Sequence, residues 1–274
     1  MKLHLEVNLG SISAIEAGKK SKLKDGSYAY PVPEFWKVAQ EYGCKALIGI
    51  VSKPYKGQIW NYIQAVDEIR EALIDNGARV ISIIPQGDSI ESDYENYPNH
   101  EDYDLINKED YTSIVDLCDG IVMQGGGVIC NYEHLIINYC IEKDIPILGI
   151  CCGMTNMAFA TGGNADYSKK EYMKENHLEL SGDYKHKVKI SEDSLLYKII
   201  GKKELMVNSI HGGIITNSGK YKVTAYSDDG LIEGLEYTGN KFNMGVQWHP
   251  ELLRKKDSDE NRIFEYFVDF VNKN

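Results

Sequence analysis

Pro146-Ile147-Leu148-Gly149-Ile150-Cys151-Cys152-Gly153-Met154 joins an uninterrupted apolar run to a turn built from glycine and cysteine. The run Ile145 to Ile150 reads as a strand, and the residues from Met154 to Ala160 read as the helix that follows it. A strand that is apolar at every position is covered on both faces, as in a parallel sheet flanked by helices. The same alternation extends upstream. Ala46 to Val51 predicts a strand, and Trp60 to Asn76 predicts a helix from the spacing of Ile63, Val66, Ile69 and Leu73, stopped by Gly77. Arg79 to Ile84 predicts a strand. A short helix around Tyr111 to Cys118 then leads to the strand Gly120 to Met123, which ends in Gly125, Gly126 and Gly127. The next helix carries Tyr132, Leu135, Ile136, Tyr139 and Cys140 on one face. Strand and helix in alternation predict an α/β fold, with a mostly parallel central sheet and helices on both faces. Such sheets place their chemistry at the carboxyl ends of the strands, which makes Gly125–Gly127 and Cys151 expected neighbours.

Beyond Gly163 the pattern shortens. Lys187 to Ile190, Leu205 to Asn208, Tyr221 to Tyr226, Leu231 to Tyr237 and Phe242 to Trp248 read as small extra β segments, and Glu260 to Val271 as a closing helix. The segment from Asp88 to Asp110 is polar and rich in Tyr and Asp. Residues 1–45 form an appendage to the main domain at 46–274. They offer an alternating strand (Leu3, Leu5, Val7), a polar loop and a short helix near Glu34 to Tyr42. A lid or a dimer contact is the functional reading of that appendage, and a packed or mobile extension the plain one.

A net charge of −11 over 274 residues argues against a nucleic-acid partner, whose phosphates require clustered Lys and Arg. The run Lys19, Lys20, Lys22, Lys24 is too short to change that and reads as a solvated loop. No stretch has the apolar length of a membrane helix, and Lys2, His4 and Glu6 interrupt the start where a signal peptide needs an apolar core, so a cytoplasmic location is expected. The six cysteines (44, 118, 130, 140, 151, 152) lack Cys-x-x-Cys pairing and disulfide-scaffold density. No metal or cofactor is expected.

A cysteine in the strand-to-helix turn projects from the sheet edge at a helix N-terminus, where partial positive charge favours the thiolate. Gly149-Ile150-Cys151-Cys152-Gly153 is the cysteine counterpart of the Gly-x-Ser-x-Gly nucleophile elbow. Taken alone, such a pentapeptide more often marks a buried structural thiol. A second stretch, Gly245-Val246-Gln247-Trp248-His249-Pro250-Glu251, weighs against that. Residues two apart on an extended chain point the same way, so Glu251 can hold the His249 imidazole while the other ring nitrogen faces the thiol.

The elbow, the glycine turn and the His-Pro-Glu stretch, in this order, resemble class I glutamine amidotransferase-like proteins. The chain is most similar to the γ-glutamyl-γ-aminobutyrate hydrolase (peptidase C26) family. Further stretches carry the likeness: His186 with Val188, Ser194-Leu195 before Ile199-Ile200-Gly201, Val207-Asn208-Ser209-Ile210-His211, and Asp229-Gly230-Leu231-Ile232-Glu233. It spans about Ala46 to the C-terminus. The resemblance implies a flavodoxin-like sheet and hydrolysis of a small γ-glutamyl amide through a thioester, with Cys151 as nucleophile, His249 as proton shuttle and Glu251 as its orienter. It implies an oxyanion hole from the backbone amides of Gly126 and Cys152, and substrate contacts at Gly125, Gly127, Ser209 and His211. Two other readings stand beside it: a glutaminase subunit that hands ammonia to a partner synthase, and a redox-sensing member of the fold that uses the adjacent thiols. A homodimer is also compatible. The chain departs from the family pattern at Cys152, where relatives carry Arg, at Thr155, where they carry Gln, and at Gly212-Gly213, where they carry His-Gln. These changes bear on the leaving group.

Overall fold

Nine strands form the central sheet of the computed structural model, which describes residues 21–22, 28–29, 45–56, 61–86, 91–92, 107–127 and 129–273. In chain order they are β1 (Leu47–Val51), β2 (Arg79–Ile83), β3 (Gly120–Met123), β4 (Ile147–Ile150), β5 (His186–Ile190), β6 (Glu204–Val207), β7 (Lys222–Ser227), β8 (Ile232–Glu236) and β9 (Asn243–Val246). Their order across the sheet is β6-β5-β7-β8-β9-β4-β3-β1-β2. The stretch from β9 to β2 is parallel throughout, and β6, β5, β7, β8 and β9 pair antiparallel. The sheet is therefore mostly parallel where the α/β pattern predicts it, and the later β segments extend it antiparallel.

The helices are α1 (Asp67–Asp75), α2 (Lys108–Val115), α3 (Asn131–Lys143), α4 (Cys152–Ala160), α5 (Lys170–Asn176), α6 (Leu195–Ile200), α7 (Pro250–Leu253) and α8 (Ser258–Lys273). Period-two alternation divides the strand residues between two cores. Ile48, Ile50, Val122, Leu148 and Ile150 meet Ile69 and Leu73 of α1 and Phe264 and Phe267 of α8. On the other face Val51, Ile121, Met123 and Ile147 meet Tyr132 and Ile136 of α3 and Met154 and Met157 of α4. Each such side chain contributes about 1.5–3 kcal/mol on burial, against about 0–1 kcal/mol for an exposed ion pair. The two apolar layers thus hold the sheet.

The chain divides into two compact units, Met1–Lys45 and Ala46–Asn274. In the first, Ser21–Lys22 pairs antiparallel with Tyr28–Ala29. The expected strand at Leu3–Val7 and helix at Glu34–Tyr42 lie outside the described residues. One element differs from its sequence reading. The helix expected from Trp60 begins at Asp67, because Asn61–Gln64 is instead a strand paired with Lys53–Lys56. Among the described residues no helix is long and apolar enough to cross a membrane.

Register decides what meets at the sheet edge. Ile150 pairs with Val246, Gly149 with Met123, and Val51 with Met123 across the other side of β3. Four strands therefore end together, and the residues after them converge: Lys53 after β1, Gly125–Gly127 after β3, Cys151 after β4, and Gln247 to His249 after β9.

Candidate active site

Cys151 sits between β4 and α4 with φ 52° and ψ −111°, a conformation L-residues rarely adopt. Two glycines make the turn feasible. A Cβ on Gly153 would strike the Met123 carbonyl oxygen, and one on Gly149 would meet Met154 N at 3.0 Å. The Cys151 N–H donates to Val246 O (2.8 Å) and its carbonyl accepts from Thr155 N (3.1 Å), fixing the residue to β9 and to α4. The strand-to-helix turn expected from the sequence is present, with Cys151 at its apex in the positive-φ region.

His249 follows β9, and its Nδ1 lies 2.6 Å from Glu251 Oε1. That contact leaves Nε2 for the thiol. Asn208, fully buried after β6, donates from Nδ2 to His249 O (2.8 Å) and accepts at Oδ1 from His249 N (2.8 Å). Gly125 backs the ring: a Cβ there would stand 2.9 Å from His249 Cε1. Burial alone pushes the Cys151 thiol up, but the His249 charge and hydrogen bond, the His211 charge and the Cys152 backbone N–H together hold it below the ordinary thiol value. Burial likewise opposes protonation of His249, while the Glu251 charge and then Cys151 raise it well above the ordinary imidazole value. Both shifts act in the direction of a thiolate–imidazolium pair.

The thiol opens on a cavity of about 630 Å³, whose wall includes Gly126, Gly127, Cys152, Thr155, His211 and Gln247. Cavities of about 300–1,000 Å³ hold small metabolites. Gly126 takes φ +143°, and a Cβ there would stand 2.7 Å from Lys53 Cδ, so the turn rests directly on the Lys53 side chain. Lys53 Nζ in turn pairs with Glu133 (2.8 Å to Oε1, 2.9 Å to Oε2) and lies 3.6 Å from Cys152 Sγ. Both members of this ion pair are buried. Burial opposes the Lys53 charge, yet Cys152 and Glu133 hold its pKa above the ordinary lysine value.

The structure brings Cys151, His249, Glu251, Gly126, Cys152, Gly127 and His211 to one place. Two residues expected at the substrate are not among those that line the cavity. Ser209 is fully buried and donates its hydroxyl to His177 O (2.9 Å), and Gly125 lies behind the His249 ring. Lys53, Glu133 and Asn208 carry no role in the sequence reading. Lys53 could have been flagged by its position just past the carboxyl end of β1.

Comparison with known proteins agrees with the resemblance. Residues 131–251 match the Peptidase C26 family. Protein NtpR of Enterococcus hirae is 31% identical over 143 residues, covering 50% of this chain and 60% of its own. The γ-glutamyl-γ-aminobutyrate hydrolase PuuD of Escherichia coli is 33% identical over 143 residues, covering 48% and 56%. The chain thus spans little more than half the length of the curated relatives it matches. Among solved structures, the glutaminase domain of CTPS from Trypanosoma brucei, with bound acivicin, gives a TM-score of 0.54 at 16% identity, covering 82% of this chain and 94% of that one. That likeness is one of fold.

Proposed function

We propose that this protein hydrolyses γ-glutamyl amide bonds, releasing glutamate and an amine through a thioester on Cys151. The observation that carries this reading is the line Cys151, His249, Glu251 at the wall of a substrate-sized cavity, with the 2.6 Å His249–Glu251 contact fixing the imidazole. The Cys151 thiolate attacks the amide carbonyl, and the oxygen takes up charge facing the backbone amides of Gly126 and Cys152. Imidazolium His249 gives its proton to the departing nitrogen as the C–N bond breaks, leaving a thioester. The neutral imidazole then takes a proton from water, whose oxygen attacks the thioester. Collapse of the second tetrahedral species breaks the C–S bond and restores the thiolate–imidazolium pair.

Removing one oxyanion donor costs about 2.7–4 kcal/mol in comparable sites. The relatives named for γ-glutamyl-γ-aminobutyrate hydrolysis support the acyl half of the substrate. We assign the amine side to the wall formed by Tyr167, Thr155 and Gly212. Gly213 has no Cβ, and a Cβ there would collide with the Tyr167 ring, which lines the cavity beside Thr155 and Gly212.

A turnover screen against γ-glutamyl amides, glutamine included, tests the proposal. The parent protein is expected to release glutamate and to show a glutamyl adduct on Cys151 by mass spectrometry, and Cys151→Ala to lose both. Turnover that survives in Cys151→Ala, or is lost only in Cys152→Ala, would overturn the assignment. Glutamine turnover that appears only with an added synthase would assign a glutaminase subunit instead.

A further inference from the structure

Three of the seven histidines meet one carboxylate behind the wall of the Cys151 cavity, to which only His211 of the three also belongs. Glu233 of β8 is fully buried, and its Oε1 lies 3.5 Å from His211 Nε2, 3.6 Å from His186 Nε2 and 3.8 Å from His177 Nδ1. All four ligand-type atoms lie within 4.8 Å of one another. None of the Glu233 contacts reaches the 2.7–3.2 Å of a satisfying hydrogen bond. Both Glu233 oxygens, His186 Nε2 and His211 Nε2 are buried polar atoms with no hydrogen-bond partner. A buried carboxylate with two unsatisfied oxygens costs several kcal/mol unless something charged meets it.

The far side of each ring indicates what that something is. His211 Nδ1 is 3.0 Å from Gly213 O and His186 Nδ1 is 3.3 Å from Lys187 O, so in the neutral ring each proton sits there. His177 Nε2 is 2.8 Å from Asp229 Oδ2, a carboxylate–imidazole pair whose other nitrogen faces Glu233. Ser209 Oγ, 3.1 Å from that nitrogen, is its one competitor. Three ring lone pairs and a carboxylate therefore point at one another. A proton can bridge Glu233 to a single ring, whereas a divalent cation satisfies all four groups. Rings held from behind by a carbonyl or carboxylate are also the usual outer shell of metal-binding histidines.

We propose that His177, His186, His211 and Glu233 form a closed site for a borderline divalent cation of the Zn²⁺ class. The three-nitrogen, one-oxygen donor set suits that class, and four protein ligands with no open position mark a structural site. Zinc bonds of about 2.0–2.2 Å require the ligand atoms to draw together by a few tenths of an ångström or more from their present spacing. The ligands come from the end of α5, the start of β5, the loop after β6 and β8. The ion would tie these segments together and anchor the loop that presents His211 to the catalytic cavity. Its binding displaces the proton that Glu233 otherwise favours on His211.

Metal binding can be read without turnover. The purified full chain is stripped with chelator and titrated with Co²⁺, following visible d–d absorption, with Zn²⁺ content counted by mass spectrometry. A Cys151→Ser/Cys152→Ser variant excludes ligation by the two cavity thiols. One Co²⁺ per chain with tetrahedral bands, free of sulfur-to-cobalt charge transfer, unchanged in that variant and displaced by Zn²⁺, is the expected result. His186→Asn, at the partly exposed rim, should bind at least about tenfold more weakly. Failure of the parent chain to hold either metal would overturn the proposal. So would equal affinity in His186→Asn, or sulfur-to-cobalt charge transfer in the parent chain.

Discussion

Glu251→Gln keeps the shape of the side chain and removes its charge, which isolates what the carboxylate does for His249. The carboxylate oxygen is 2.6 Å from Nδ1, and the Glu251 side chain is 2% exposed, so solvent screens the pair little. A hydrogen bond to a charged group contributes about 1.5–3 kcal/mol. Coulomb attraction between charge centres about 4 Å apart, at an effective dielectric near 20, is about 4 kcal/mol. The glutamine amide can still hydrogen-bond, so the first figure is the floor and the second the ceiling. At about 1.4 kcal/mol per tenfold, kcat/KM should fall between about tenfold and about a thousandfold. The pH profile fixes the cause. Burial pushes the His249 pKa down and Glu251 does most to hold it up, so the variant loses its imidazolium at lower pH. Cys151 then loses the charge that offsets its own burial, and its pKa rises. The alkaline limb moves down, the acid limb moves up, and the active window narrows from both sides. Alkylation of Cys151 by iodoacetamide against pH, in a Cys152→Ser background, reads the thiolate directly. An alkylation profile that superimposes on the parent's, with unchanged kcat/KM, would refute this account of the triad.

Lys53→Met strands the Glu133 carboxylate in the interior and should cost about 3–5 kcal/mol in urea unfolding, whereas Lys53→Met/Glu133→Gln should recover much of it. A double variant no more stable than the single contradicts a paired charge beneath the oxyanion turn. Asn208→Ala leaves both His249 main-chain groups without their partner; kcat should drop while KM holds, and stability should fall by about 1–3 kcal/mol per stranded group. Glu260 accepts from Trp248 Nε1 (2.9 Å), and burial raises its pKa from 4.5 to about 8. The folded state therefore keeps this proton after the unfolded state has lost it, and stability drains away as pH rises from about 4.5 to about 8. Glu260→Gln should gain on the parent by about 1.4 kcal/mol for each pH unit across that window, and thermal melts showing a constant difference would contradict this.

The parallel strands were legible because both their faces are covered, which leaves no polar position to blur the run. The elbow was legible for a related reason: Gly149 and Gly153 stand where side chains would collide with Met154 and the Met123 carbonyl. The start of α1 was not. Ile63 and Val66 fit a helical period, yet Ile63 is 46% exposed on a strand paired antiparallel with Lys53–Lys56. Backbone pairing with that neighbouring strand overrode a weak periodicity. A different limit, sequence distance, hid Lys53 with Glu133, and His177, His186 and His211 with Glu233. Each group is assembled from residues that only the topology makes neighbours.

In the proposed reaction the antiparallel half of the sheet acts through this topology. β9 alone would deliver His249 to the elbow, since its register with β4 sets Val246 beside Ile150. It would not fix the main chain at His249, two residues past the Gln247 N–H that donates to Glu233 O of β8 (2.9 Å). Asn208 does that, from the end of β6 at the far edge of the strand order. Three residues on, His211 reaches the cavity wall and faces Glu233 of β8. The parallel strands thus place the thiol and the imidazole. In the proposed reaction the strands added to them hold the base and build the wall opposite, so changes at Gly212 and Gly213 should alter leaving-group preference without moving the triad.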